Sequence, residues 1–128
     1  MEAEVSGHQR KVVSSSVAPV KRSLGDAGIP LRNGRTLPFR VTRAWNAPAG
    51  HYPESWYLVD PGSREVLFEG PTRALLVWGL QSWTEITDEV ATPIALRPGP
   101  ILVVFALAGV WGGDLEIEAI EVPVDQVA

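Results

Sequence analysis

The sequence predicts an all-β protein: an antiparallel β-sandwich or jelly-roll-like domain of about eight short strands, preceded by an extended N-terminal arm. Three observations predict it. From Leu37 onward apolar residues recur at every second position, the period of a half-buried strand. The apolar runs return at roughly ten-residue spacing, the rhythm of a sandwich. Twelve glycines and eleven prolines punctuate them, which tight turns use and long helices do not tolerate. With 45% apolar residues and a mean hydropathy of +0.07, the 128-residue chain has the material for a packed core.

Residues 1–36 read as a flexible basic arm. They hold Arg10, Lys11, Lys21, Arg22, Arg32 and Arg35 against Glu2, Glu4 and Asp26, a balance of +3 in a chain of net charge −4. Residues 37–128 therefore carry −7, and the two parts are different materials. The arm contains Ser14-Ser15-Ser16, Pro19, Gly25, Gly28, Pro30, Asn33 and Gly34, and no aromatic residue. Such a segment offers too little apolar surface to offset the entropy of ordering it alone. Fully extended it would reach ~120 Å. Its valine patches, Lys11-Val12-Val13 and Val17 to Val20, suit edge-strand pairing against another surface.

The domain at residues 37–128 follows. Leu37, Phe39 and Val41 alternate with Pro38, Arg40 and Thr42 as a first strand. Ser55-Trp56-Tyr57-Leu58-Val59 and Glu65-Val66-Leu67-Phe68-Glu69 flank Asp60-Pro61-Gly62-Ser63, a hairpin signal in which Pro presets one dihedral and Gly supplies a positive one. Residues 73–78 are almost continuously apolar, as in a strand buried on both faces. Residues 83–90 read as an edge strand and residues 92–96 as a short one. Arg97-Pro98-Gly99-Pro100 is a turn before the most apolar strand, residues 101–107. Residues 109–113 read as a loop around Trp111. Leu115, Ile117 and Ala119 then alternate with Glu116 and Glu118, giving a dry and a charged face. A helix within residues 73–90 is the main alternative, with Gly79 against it.

Catalysis is not expected. The histidines are His8 and His51, no serine sits on a strand-to-helix elbow, and no glycine-rich loop follows a strand. No cysteine is present and no His pair has metal spacing, so neither metal nor cofactor is assigned. Glu116 with Glu118, and Asp88 with Glu89, read as a solvated strand face and a turn. Trp56 and Trp78 read as core. Trp45, His51, Tyr52, Trp83 and Trp111 fall at strand ends or in loops and are the expected contacts for a ligand or partner. The loop at residues 46–53, stiffened by two prolines, is the expected contact surface.

The functional expectation is a structural or interaction protein without catalysis. Its arm, through Arg10, Lys11, Lys21 and Arg22, would lie on an acidic body, its own or a neighbouring copy's, within a larger assembly such as a virion's capsid decoration or tail. A carbohydrate-binding module using the loop aromatics is the alternative. Nucleic acid is disfavoured because the acidic body repels phosphate. The polar N-terminus lacks a secretory h-region, and the longest apolar run, residues 100–111, is short of the ~20 residues that cross a bilayer. A chain made in the cytoplasm, without a membrane partner, is expected.

Overall fold

Ten strands form within residues 9–123, the part of the chain that a computed structural model describes. They are β1 (Lys11–Pro19), β2 (Ile29–Arg32), β3 (Arg35–Thr36), β4 (Phe39–Asn46), β5 (Gly50–Val59), β6 (Val66–Glu69), β7 (Arg73–Val77), β8 (Thr84–Val90), β9 (Gly99–Leu107) and β10 (Val110–Glu121). No α-helix occurs among the described residues; a single 3-10 turn spans Arg22–Leu24. The smaller sheet has the order β1-β4-β8. The larger runs β3-β2-β10-β9-β5, and the far edge of β5 is shared by β7 along residues 50–54 and β6 along residues 57–59. All pairs are antiparallel except β2 with β10. Two sheets of this kind make an all-β sandwich, as expected.

The arm expectation is corrected from Gln9 onward; residues 1–8, including the expected start of the arm, lie outside the described residues. β1 pairs with β4 from Lys11↔Asn46 to Pro19↔Phe39, and β2 lies beside β10. Val17, Ile29 and Leu31 are fully buried in the common core with Phe39, Val41, Trp56, Leu58, Val103, Phe105 and Leu107. The apolar surface that the segment lacks by itself is supplied by the two sheets. β2 turns into β3 through Asn33-Gly34, both at positive φ (55° and 74°), and Arg32 pairs with Arg35. That is the two-residue hairpin for which Asn-Gly is the strongest short signal.

The hairpin expected at residues 60–63 forms, with the Asp60 amide donating to the Glu65 carbonyl and the Arg64 amide to the Asp60 carbonyl, but the positive φ expected at Gly62 falls on Arg64 (67°). β8 is an edge strand, also as expected. Residues 73–78 are not buried on both faces. In β7, Leu75 and Val77 point inward while Ala74 and Leu76 are exposed, because β7 sits at a sheet edge. Residues 92–96 form no strand, only an isolated bridge between Ala95 and Arg35. The expected loop at 109–113 is strand: Ala108-Gly109 makes the turn, and β10 accommodates Gly112 as a bulge between Trp111 and Gly113.

Both buried tryptophans lie against a glycine. A Cβ on Gly70 would fall inside the Trp56 ring, and one on Gly112 inside the Trp45 ring. Trp56 has nowhere to go, held by its indole N–H on Asp88 (2.8 Å) and by Phe68 at 5.8 Å between ring centroids. Gly70→Ala is therefore expected to destabilise by ~2–3 kcal/mol in urea titrations followed by tryptophan fluorescence; an unchanged midpoint would contradict this packing.

Candidate functional site

The inward positions of consecutive strands carry charge where core is expected. Along β4, Phe39, Val41, Arg43 and Trp45 point inward; along β5, Glu54, Trp56 and Leu58 do. Arg43 and Glu54 are fully buried and Asp88, on β8, nearly so. The Arg43 guanidinium donates to Glu54 through Nε (2.7 Å to Oε2) and Nη2 (2.5 Å to Oε1), and to the Val41 carbonyl through Nη1 at 3.1 Å. Its Nη2 also lies 3.0 Å from Asp88 Oδ2. Trp45 Nε1 donates to Glu54 Oε2 at 3.0 Å, and half-exposed Arg73 on β7 pairs with Asp88 Oδ1. Two cations face two carboxylates, and all four carboxylate oxygens accept from the protein itself. Arg43 and Asp88 come from the smaller sheet and Glu54 and Arg73 from the larger, so this buried cluster acts as a clamp between the sheets. It corrects the reading of Asp88 as part of a solvated turn, whereas Glu89, Glu116 and Glu118 are exposed as expected.

The sheets differ on their outer faces. On the smaller sheet the outward positions are Ser14, Ser16, Arg40, Thr42, Glu85, Thr87 and Glu89 with the small Ala18 and Ala44, held by a Thr42–Thr87 hydroxyl contact (3.0 Å) and an Arg40–Glu89 ion pair (3.4 Å). On the larger sheet the register sets Trp111, Ala106 and Ser55 in one row, Asp114, Val104, Tyr57 and Glu69 in the next, then Glu116, Leu102 and Val59. The middle of that face is apolar and its margins are acidic. β9 is apolar on both sides, a pattern that an antiparallel sheet with one solvated face does not need.

Exposed tryptophans stand at the pole of the sandwich where β7 ends and β8 and β10 begin. Trp78 and Trp83 bracket the connection from β7 to β8 and are 74% and 66% exposed; Trp111 is 62% exposed and Leu76 39%. His51, opposite Leu76 on β5, is exposed beside them. Of the expected contacts, His51, Trp83 and Trp111 are exposed, His51 and Trp111 on the outer face of the larger sheet and Trp83 just before β8 in the smaller one. Trp45 is instead core, because its indole is needed by Glu54. Tyr52 is half-buried, its hydroxyl donating to the Pro48 carbonyl (2.8 Å) under the Arg10 guanidinium at 5.1 Å. The expected long loop shrinks to residues 47–49, since β5 starts at Gly50. Trp78, expected in the core, is the most exposed of the three tryptophans because β7 ends at Val77.

The four expected arm contacts do not form a patch. Arg10 and Lys11 stand at the aromatic pole and Lys21 and Arg22 at the other, separated by the length of β1, ~30 Å. Near that second pole an open hollow of about 790 Å³ is lined by Asp60, Glu65, Leu67, Leu96 and Arg97. The Asp60 carboxylate accepts from the Ser63 and Gly62 amides, which holds its pKa below the usual carboxylate value. Its contribution to stability is present above that usual value and is lost as pH falls through the lowered one. Among the described residues no group of three or more His, Cys, Asp or Glu side chains is placed to hold a metal ion, and no helix is long and apolar enough to cross a membrane.

No protein-family model matches the sequence, and no curated protein matches it. Solved structures do match in fold. The alkylpurine DNA glycosylase AlkC of Pseudomonas fluorescens, bound to DNA containing an abasic site analog, superposes with a TM-score of 0.60 at 14% identity, over 88% of this chain and 30% of that one. A mutant β-glucosidase from Listeria innocua in complex with laminaribiose superposes with a TM-score of 0.50 at 12% identity, over 87% of this chain and 16% of that one. The chain thus spans less than a third of either enzyme, and the likeness is one of fold.

Proposed function

We propose that the chain is a non-catalytic docking module that seats a partner protein on the outer face of its larger sheet, with Trp111, Trp78 and Leu76 anchoring the pole end. The observation that carries this reading is the difference between the two outer faces. A solvated sheet face alternates apolar in and polar out, as the smaller sheet does; the larger sheet keeps Leu102, Val104, Ala106 and Tyr57 on the outside. An apolar centre with a charged margin and exposed tryptophans is the make-up of interface hot spots. The fold neighbours support a module: in both, the matching part is a minor share of a longer enzyme. With β1, β2 and β3 in the sheets, a free arm no longer supports the virion setting, and the docked body is the part of that expectation kept here.

A photoreactive phenylalanine in place of Val104 or Trp111 tests this in the native host, with one at Thr42 on the smaller sheet as control. One recurring protein, cross-linked from Val104 and Trp111 and not from Thr42, is expected; equal labelling from both faces would refute the reading. Trp78 and Trp83, flat and exposed on a single connection, favour carbohydrate as a second reading. A glycan array that binds the full chain, and loses binding with Trp78→Ala and Trp83→Ala, would replace the protein partner by a sugar.

A further inference from the structure

β10 has one edge only partly used. On one side it pairs with β9 from Val110 to Ala119; on the other it pairs with β2 at Ala119, Ile120 and Glu121 alone. Among the described residues no strand pairs that second edge along residues 113–118. β1 runs alongside but belongs to the other sheet, and between them lies an open groove of about 490 Å³. Leu115, Ile117 and Val17 line it on the apolar side, and Ser15 and Ser16 form the β1 wall. Ser15 and Ser16 put short side chains where valine or leucine would fill the gap.

Both ends of the opening are closed. Val12 packs at Gly113, where a Cβ would lie 3.4 Å from its own, and Gly28 sits so close that a Cβ there would be 2.6 Å from the Glu118 carbonyl oxygen. Between them about five residues of strand would fit, ~17 Å. The acidic side chains of Asp26, Glu116 and Glu118 stand along the groove and are exposed, with Asp114 next in line on β10. Two copies of this edge facing one another would bring like charges together, which is how natural sheets discourage self-pairing. A cationic strand meets the opposite field.

We propose that this edge accepts an extended basic segment of a partner protein, added as a strand to the larger sheet along residues 113–118. Main-chain hydrogen bonds would come from the unpaired edge. Alternate apolar side chains would descend onto Leu115 and Ile117, and the basic side chains between them would meet Asp114, Glu116 and Glu118. The edge adjoins the outer face described above and shares Asp114 and Glu116 of its acidic margin, but its occupant adds to the sheet as a strand instead of covering its face.

The test uses the full chain and a fluorescein-labelled five-residue peptide alternating valine and lysine, read by anisotropy and by hydrogen–deuterium exchange. Saturable binding with slowed exchange confined to residues 113–118 is expected. Methylating the peptide's alternate backbone nitrogens should weaken binding at least about tenfold, because the ladder is lost while charge is kept. The exposed double substitution Glu116→Lys with Glu118→Lys should weaken it by about tenfold, and a valine–glutamate peptide should not bind. Equal affinity for the methylated peptide, protection on residues 102–106 instead, or no binding of the valine–lysine peptide would each overturn the proposal.

Discussion

A chain that begins at Leu37 will not fold. Deleting residues 1–36 removes one of the three strands of the smaller sheet, the β2–β3 hairpin beside β10, and buried side chains that include the aliphatic Val17, Ile29 and Leu31. At ~1.5–3 kcal/mol for each buried aliphatic group, those side chains alone are worth ~5–9 kcal/mol. That matches the whole stability of an ordinary domain, ~5–15 kcal/mol. The loss extends further, since Phe39 and Val41 would be uncovered and the β4 edge left unpaired. The truncated chain should give far-ultraviolet circular dichroism without a cooperative urea transition, and amide proton shifts collapsed into the random-coil range. A sharp transition with the slope of the full chain would show that residues 37–128 are a domain in their own right, and would restore the arm.

Arg43→Met should be the most damaging single exchange in the interior. It leaves Glu54 buried with only the Trp45 indole as donor, and deprives Asp88 of one of its two guanidinium partners. Removing one partner of a buried ion pair costs ~3–5 kcal/mol, because the charge left behind has lost both water and its counter-charge. For a domain of this size that corresponds to a fall in Tm of roughly 10–15 °C. Adding Glu54→Gln removes the stranded charge while keeping an acceptor for Trp45, so the double variant should be less destabilised than the two single losses summed. Differential scanning calorimetry on the four proteins of this cycle reads the coupling; strictly additive losses would show that the clamp is not a unit.

How much of this is legible beforehand depends on the range of the interaction. Leu37-Phe39-Val41, the Asp-Pro-Gly turn and the last strand are local patterns, and local patterns became β4, the β5–β6 hairpin and β10. Asn33-Gly34 was an equally local signal for a hairpin, hidden because its flanking strands are only four and two residues long. Arg43 and Glu54 carried a readable sign as well: opposite charges at inward positions of neighbouring strands. Trp45 and Trp78 went opposite ways for reasons no single strand contains. Trp45 fills the space over Gly112 and donates to Glu54, sixty-seven residues before one and nine before the other, whereas Trp78 runs past the end of an edge strand.

By itself the sequence determined the strand periodicity, the turns that separate the strands, and therefore a sandwich. These follow from backbone geometry and from the alternation of side chains across a pleated chain. Only the tertiary structure decided which segments belong to that sandwich, which tryptophans stay in water, and that four charges close on one another between the sheets. Burial is a property of two surfaces meeting: residues 11–36 have too little apolar area to fold alone and enough to complete a core that β4, β9 and β10 supply.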